Sequence, residues 1–228
     1  MTQQQQVATE PRWHASLAVV AAILLYITLP PRLIIGPVWV APLLVLALLV
    51  PLSILAPRRG RETRRSRFFS ILLIALVNFF NLVSVLLLVF AFFHPEKARI
   101  HQPEQLLLTG AQIWFTNVLV FGLWYWELDG EGPDARAHAG GAAHLQHADF
   151  LFPQMQLLIA SGGTSSVDPN WRPQFIDYLY LAFTDATAFS PADVMPLSRW
   201  AKALMGAEAL VSLITIAIVL ARAISLIQ

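Results

Sequence analysis

The sequence lacks much of what soluble and redox-active proteins depend on. Its 228 residues include no cysteine, which excludes disulfides, thiolate metal sites, iron–sulfur clusters and cysteine nucleophiles. Only 13% of the residues are charged, whereas soluble globular domains carry about 25%. With so little charge, a chain that is 57% hydrophobic is not expected to fold as an ordinary soluble domain. No phosphate-binding loop, dinucleotide fingerprint or Ser/His/Asp arrangement is evident, so nothing here predicts an enzyme.

What the sequence does contain is a series of long apolar runs. A membrane-spanning helix needs about 20 apolar residues, and runs of that order lie at 15–29, 38–56, 68–93, 106–126 and 201–227. A further helix at 175–189 is only half as long as a membrane is thick. The predicted fold class is therefore all-α, a polytopic membrane protein with five full transmembrane helices and one re-entrant half-helix.

These runs divide the chain into four segments. Residues 1–14 form a polar tail, which we do not expect to be a cleavable signal peptide because no small-residue cleavage site follows the first apolar run. Residues 15–126 form a four-span bundle, and residues 127–173 form an extramembrane loop that begins with acidic residues and contains histidines. Residues 174–228 hold the half-helix, a turn and the last span.

Positive charge is concentrated in one short loop. Six arginines and a single glutamate lie between residues 58 and 67, namely Arg58, Arg59, Arg61, Arg64, Arg65 and Arg67. The positive-inside rule places such a loop in the cytoplasm, and its function is either orientation alone or contact with anionic lipid headgroups. Arginine outnumbers lysine thirteen to two, which indicates a bacterial source and a multi-pass protein of the inner (plasma) membrane.

A short helix, a polar turn and then a full span describe a re-entrant hairpin. Irregular backbone at membrane depth persists only where protein or water satisfies its amides. The stretch from Asp177 to Lys202 resembles the pore helix, filter and inner-helix start of tetrameric potassium channels. The family's T-T-V-G-Y-G-D lies without gaps over Thr187 to Asp193, its next proline falls on Pro196, and its basic residue falls on Lys202. The resemblance covers residues 177–222 and implies a homotetrameric ion channel or transport protein.

The filter itself departs from the family pattern. Ser190 and Ala192 occupy the two glycine positions, and Pro191 occupies the tyrosine position. Filter carbonyls need the left-handed backbone that glycine adopts cheaply, so a potassium-type carbonyl ladder is not expected. Selection in such a pore would depend on side chains, and the predicted pore residues are Thr187, Ser190, Pro191, Asp193 and Asp185. A structural hairpin that conducts nothing is the alternative.

Two features of the hairpin segment point to buried charge. Asp185 lies near the C-terminal end of the half-helix, where the helix dipole disfavours a carboxylate, so a cation, a partner or a proton should compensate it. Glu208, Ser212 and Thr215 follow at spacings of four and three, which places them on one stripe of the last helix. In a channel-like assembly this stripe would face a central cavity. Alternatively, the hydroxyls bond their own helix and Glu208 lies near a membrane interface.

The long loop contains one candidate metal site. His138, His144, His147 and Asp149 are close enough in sequence to surround a single divalent ion, and neutral imidazoles suit zinc or nickel. A solvated linker without metal is the alternative, because the spacing matches no known motif. No other cofactor is predicted.

The charges and the family resemblance disagree about orientation. Counting two spans onward from a cytoplasmic arginine loop places the mouth of the hairpin in the cytoplasm, whereas the pore helix of the channel family enters from outside. Because charge bias determines insertion directly, we expect the hairpin to open inward. Three functions stay open: a channel-like pore protein, a non-conducting scaffold that binds a partner or lipid, and a membrane metal-site protein.

Overall fold

The structure, a computed structural model, describes residues 12–55, 64–94, 103–139, 147–162, 166–169, 171–190 and 193–224. Arg58, Arg59, Arg61, His144 and Pro191 lie outside these ranges. The described residues form eight α-helices, α1 (Trp13–Ile27), α2 (Val40–Leu55), α3 (Arg64–Phe93), α4 (Pro103–Leu128), α5 (Pro133–Ala139), α6 (Pro153–Ala160), α7 (Phe175–Ala188) and α8 (Arg199–Ile224). Two short strands, β1 (Phe150–Leu151) and β2 (Met195–Pro196), pair antiparallel.

Three of the helices are long and apolar enough to cross a membrane. They are α3, α4 with the turn that follows it, and α8, which give candidate spans at Arg64–Phe93, Glu104–Glu131 and Arg199–Ile224. The predicted all-α membrane protein is confirmed at this level. α4 and α8 run antiparallel, because Gly110 lies against Val219 and Asn117 bonds Ser212.

The first two predicted spans are shorter than a bilayer. α1 and α2 have 15 and 16 residues, or about 22–24 Å at 1.5 Å per residue, whereas the hydrocarbon core is about 30 Å thick. Pro30 and Pro31 follow α1, where proline cannot continue a helix. The connection between the two helices is anchored by Leu33, which is 1% exposed in a cluster that includes Leu88 and Leu106.

One end of the bundle holds Arg12 and the described arginines of the basic loop. Arg12 lines a small cavity with Glu127, near the end of α4, and a Cβ atom at Gly132 would lie 3.6 Å from Nε of Arg67. We call this the arginine end. Gly132 has a φ of +101°, which a residue with a side chain rarely adopts, and this turn directs α5 across the bundle end.

The half-length helix α7 starts at the arginine end and runs back along α4. Phe175 packs on Trp126 with ring centroids 6.0 Å apart, and Phe183 reaches Trp114 at 5.9 Å. The 12 residues between these tryptophans correspond to about 18 Å of α4. Phe189, the residue after the last residue of α7, has a φ of +55°. The chain then returns to Arg199, where α8 begins at the arginine end.

The return segment is joined to the extramembrane loop. Phe150 pairs with Pro196 and Leu151 with Met195, and the Leu197 amide donates to the Asp149 carbonyl at 2.8 Å. The apolar residues at 150–160 of this loop form β1 and α6. Residues 127–129 differ from the prediction, since α4 continues to Leu128 and both Glu127 and Asp129 are 0% exposed.

Candidate functional site

Buried polar side chains follow the seam where α4, α7 and α8 meet. They form three layers, starting from the arginine end, and together we call them the polar seam. The outer layer is Asp129, Arg136 and Tyr178; the middle layer is Tyr125, Asp185 and Glu208; the inner layer is Asn81, Asn117 and Ser212. Every one of these side chains is at most 3% exposed. Since buried polar groups are costly unless they are paired, the seam is the leading candidate for a functional site.

The middle layer places two carboxyl groups around one phenol. The Tyr125 hydroxyl donates to Oε2 of Glu208 and also interacts with the Asp185 carboxyl group. The other oxygens, Oε1 of Glu208 and Oδ2 of Asp185, are buried and have no hydrogen-bond partner among the described residues. The three residues come from α4, α7 and α8, so the layer exists only when all three helices are packed together.

The middle layer lies well inside the bundle. Glu208 is nine residues beyond Arg199, the start of α8, or about 14 Å along the helix axis. Ionisable residues at such a depth in a membrane protein are costly and are usually functional.

The outer layer is a fully bonded carboxylate. Oδ1 of Asp129 accepts the Asp149 amide at 2.6 Å and the Phe150 amide at 3.3 Å, and Oδ2 accepts the Tyr178 hydroxyl. The Arg136 guanidinium donates to the Asp129 carbonyl at 2.5 Å and lies 5.0 Å from the centre of the Tyr178 ring. A cation beside a carboxylate and over an aromatic face is well placed to offset the buried negative charge.

The inner layer connects three long helices by neutral hydrogen bonds. The Asn117 amide donates to the Ser212 hydroxyl at 3.0 Å, and the Asn81 amide donates to the Asn117 carbonyl oxygen at 3.4 Å. Interhelical bonds of this kind contribute about 0.6–2 kcal/mol each in membrane proteins. The inner layer therefore fixes the packing of α3, α4 and α8 below the carboxyl pair.

The predicted cavity stripe faces the interior of a single chain. Glu208, Ser212 and Thr215 are 0–1% exposed and pack towards α4, instead of presenting a surface that a central cavity between subunits could use. Thr215 donates to the Val211 carbonyl at 2.8 Å, the backbone bond that the sequence leaves open as an alternative. The stripe is real, but its partner is a neighbouring helix of the same subunit.

The predicted pore residues are separated by the structure. Thr187, Ser190 and Asp193 are exposed around the end of α7, and the Thr187 hydroxyl donates to the Phe183 carbonyl at 2.8 Å. Asp185 lies on the opposite face of the helix and is buried against Tyr125. The Tyr125 phenol is therefore the polar group beside this carboxyl group, while its hydrogen is donated to Glu208.

The candidate metal residues do not converge in the part of the chain that is described. Nδ1 of His138 lies 2.7 Å from the Asp134 carbonyl oxygen, His147 is exposed, and Asp149 accepts the Gly130 amide at 3.4 Å. Among residues 12–55, 64–94, 103–139, 147–162, 166–169, 171–190 and 193–224, no group of three or more His, Cys, Asp or Glu side chains could hold a metal ion.

The described arginines of the basic loop belong to the first turn of α3. Arg64 and Arg65 are exposed and Arg67 is half-buried beside Gly132. Contact of the two exposed side chains with lipid headgroups stays a prediction.

Sequence reasoning missed half of the seam. Tyr125 stands between Trp124 and Trp126, a cluster that by itself predicts an aromatic belt at the headgroup layer. In the structure its side chain is 0% exposed. Tyr178, Arg136 and Asn117 were not singled out. A signal is present along α4 and the residue that follows it, where Asn117, Tyr125 and Asp129 are spaced by eight and four residues, a spacing that favours one helical face.

Comparisons of the chain with protein-family models, with curated proteins and with solved structures find no significant match.

Proposed function

We propose that this protein is an integral membrane transport protein that binds and moves protons, with the middle layer as its binding site. The observation that carries the proposal is the pair of buried carboxyl groups, Asp185 and Glu208, around the single hydroxyl of Tyr125. In membrane proteins, buried chains of acidic and proton-carrying residues mark proton and ion pathways.

The chemistry of the layer favours a proton as the bound species. A phenol has one hydrogen to donate and a lone pair to accept with. When Tyr125 donates to Glu208, Asp185 can bond the phenol oxygen only as a donor, which requires a protonated carboxyl group. One bound proton would also remove the repulsion between two negative charges at low dielectric.

A metal ion fits the layer less well. Hard cations such as Ca²⁺ take six to eight oxygen ligands, whereas the described part of the middle layer offers two carboxyl groups and one phenol. The proton therefore satisfies the geometry with the fewest additional groups.

In this proposal α7 is a re-entrant helix, and its role is to carry Asp185 to the seam. The proposal is supported by the course of α7, which enters at the arginine end, follows α4 for about 18 Å and returns to the same end. The potassium-channel resemblance concerns the same hairpin. A tetramer remains compatible with it, with the exposed residues Thr187, Ser190 and Asp193 facing neighbouring subunits.

Proton flux into liposomes tests the proposal. Purified protein is reconstituted with a pH-sensitive dye inside, a membrane potential is imposed, and the rate of acidification is recorded. We expect Glu208→Gln and Asp185→Asn to lower the rate to that of protein-free vesicles, since neither amide can release a proton.

Two matched substitutions serve as controls. Glu104 lies exposed in the first turn of α4 and Asp193 lies exposed on the return of the hairpin. Glu104→Gln and Asp193→Asn should leave the flux unchanged. Loss of flux in Asp193→Asn together with normal flux in Glu208→Gln would contradict the proposal and would favour a pore between subunits.

A non-conducting scaffold is the second candidate, and one observation favours it. The hydrogen bonds of the inner layer and of the Asp129 carboxylate are made within one chain, as expected if the seam only holds the helices together. A scaffold predicts no flux above that of empty vesicles for the wild-type protein at any imposed potential.

A further inference from the structure

We infer that the carboxyl pair exchanges its proton with the arginine end of the bundle, and that the ring of Phe150 is the gate on this route. The inference rests on the proposed function and adds to it the direction of access and the residue that controls access.

The first observation is that two tyrosine–carboxylate pairs stand in series. Tyr178 donates to Asp129 in the outer layer, and Tyr125 donates to Glu208 in the middle layer. Four residues separate Tyr125 from Asp129 along α4, or about 6 Å. Each phenol can accept one proton and donate another, so the two pairs are suitable consecutive stations for a proton.

The second observation is that Phe150 separates the two stations. Its ring centroid is 5.1 Å from that of Tyr125 and 6.4 Å from that of Tyr178, and its side chain is 1% exposed. A phenyl ring has no group that can donate or accept a hydrogen bond. In the inferred gate, the ring in this position keeps water and a hydrogen-bonded chain from connecting the layers, as in pores that close by dewetting.

The third observation is that few backbone hydrogen bonds hold Phe150 in place. Its amide donates to Oδ1 of Asp129, and the residue pairs with Pro196 on the return of the hairpin. Strand β1 has only two residues, and proline has no amide hydrogen to add to the ladder. A shift of this short pairing would move the ring without unfolding any of the long helices.

The fourth observation concerns the opposite direction. Beyond the inner layer, the cluster at the far end of the bundle contains Ile113, Ile218, Leu106 and Leu88, all at most 7% exposed. From Ile113 to Leu106 this apolar stretch extends for about 10 Å along α4. On the arginine side the polar seam continues past the ring of Phe150 into the buried outer layer. On the other side it is followed by several layers of aliphatic side chains, so the arginine end is the side of access.

Thiol labelling tests the gate without relying on transport. The chain has no cysteine, so Met205→Cys introduces a single thiol on α8, one turn from Glu208 towards the arginine end and 4% exposed as methionine. In this background we expect a small membrane-impermeant thiol reagent to react slowly. Adding Phe150→Ala should raise the rate about tenfold or more, the factor that corresponds to about 1.4 kcal/mol of closing free energy.

A neighbouring aromatic residue provides the matched control. Phe152 is 3% exposed and packs on Tyr178 at 5.3 Å and on Trp171 at 5.9 Å, so Phe152→Ala removes the same ring from the same segment. We expect it to leave the labelling rate of Met205→Cys unchanged. Phe150→Trp, which keeps an aromatic ring at this position, should leave the site closed. Helical content and melting temperature confirm that each variant is folded.

The labelling and flux measurements have separate outcomes for the gate and for the proposed function. Faster labelling in Phe150→Ala alone, with reagent supplied at the arginine end only, supports the gate. Equal rates in Met205→Cys with and without Phe150→Ala, or faster labelling when Phe152→Ala is added as well, overturn it. In the flux assay, a proton leak in Phe150→Ala that disappears when Glu208→Gln is added supports the whole route. If Glu208→Gln alone does not lower the wild-type flux, the proposed function is overturned, and the labelling result alone decides the gate.

Discussion

At the scale of single residues, Tyr125 decides what the seam can do. Its one hydroxyl donates to Glu208 and lies beside the buried carboxyl group of Asp185. The sequence indicates that Asp185 and Glu208 are unusual, because both are acidic residues in apolar helices. It does not indicate that they share a partner, since 83 residues separate Tyr125 from Glu208.

We therefore expect Tyr125→Phe to destabilise the protein. The change keeps the ring and removes the donor, which leaves an oxygen of buried Glu208 unsatisfied at a cost of about 1–3 kcal/mol. Thermal unfolding in detergent, followed by circular dichroism, should show a lower midpoint. Tyr180→Phe is the matched control, because Tyr180 lies on α7, which packs on α4, and is 56% exposed. Equal midpoints for the two variants would mean that the phenol does not stabilise the carboxyl pair.

At the scale of elements, the close approach of α7 to α4 brings Asp185 to Tyr125. Gly122 allows this approach, because a Cβ atom added there would lie 3.2 Å from the Leu179 Cα atom and 3.3 Å from its Cδ1 atom. The start of α7 is reinforced by a capping box between Gln174 and Asp177, a known local stabiliser of helix N-termini. The small residue Gly122 thus allows α7 to pack closely on α4, and the capping box stabilises the N-terminus of α7.

Replacing Gly122 with alanine should weaken this packing. The new methyl group would meet backbone that cannot rotate away, and such overpacking costs about 1–3 kcal/mol, more than the roughly 1 kcal/mol that alanine gains over glycine in a helix. Gly206→Ala on α8 is the control, since nothing lies within 4 Å of a Cβ atom there and the variant should be neutral or more stable. The melting midpoint of Gly122→Ala should lie below that of wild type, and that of Gly206→Ala should equal or exceed it. A higher midpoint for Gly122→Ala than for wild type would show that α7 does not lie this close to α4.

At the scale of the whole molecule, the structure gathers the arginines, the end of α4 and the starts of α7 and α8 at one end. The arginine loop and the mouth of the hairpin therefore share a side, as expected from counting the spans. Since the positive-inside rule assigns that side to the cytoplasm, we expect the proton route to open there.

A pair of single-cysteine variants tests this topology. His138 on α5 is exposed at the arginine end, and His94 is exposed just beyond α3 at the other end. In membrane vesicles of known orientation, His138→Cys should react with an impermeant thiol reagent only from the cytoplasmic face and His94→Cys only from the opposite face. Reaction of both from one face would mean that α3 does not cross the membrane.

The sequence alone determined the class of the molecule and the position of its main helices. Apolar length located α3, α4 and α8, and the half-helix predicted at 175–189 is observed as Phe175–Ala188, because these signals are local. The first predicted span, 15–29, is observed as Trp13–Ile27 with the same length of 15 residues, and the second, 38–56, is described as Val40–Leu55.

Only the tertiary structure decided which polar residues meet. Glu208, Ser212 and Thr215 form one stripe in the sequence, but whether that stripe faces a cavity or a neighbouring helix depends on how α8 is rotated against α4. Asp129, Tyr178 and Phe150 come from three separate segments, and no periodicity connects them. Helical spacing assigns a residue to a face, whereas the partner of that face is set by packing between distant parts of the chain.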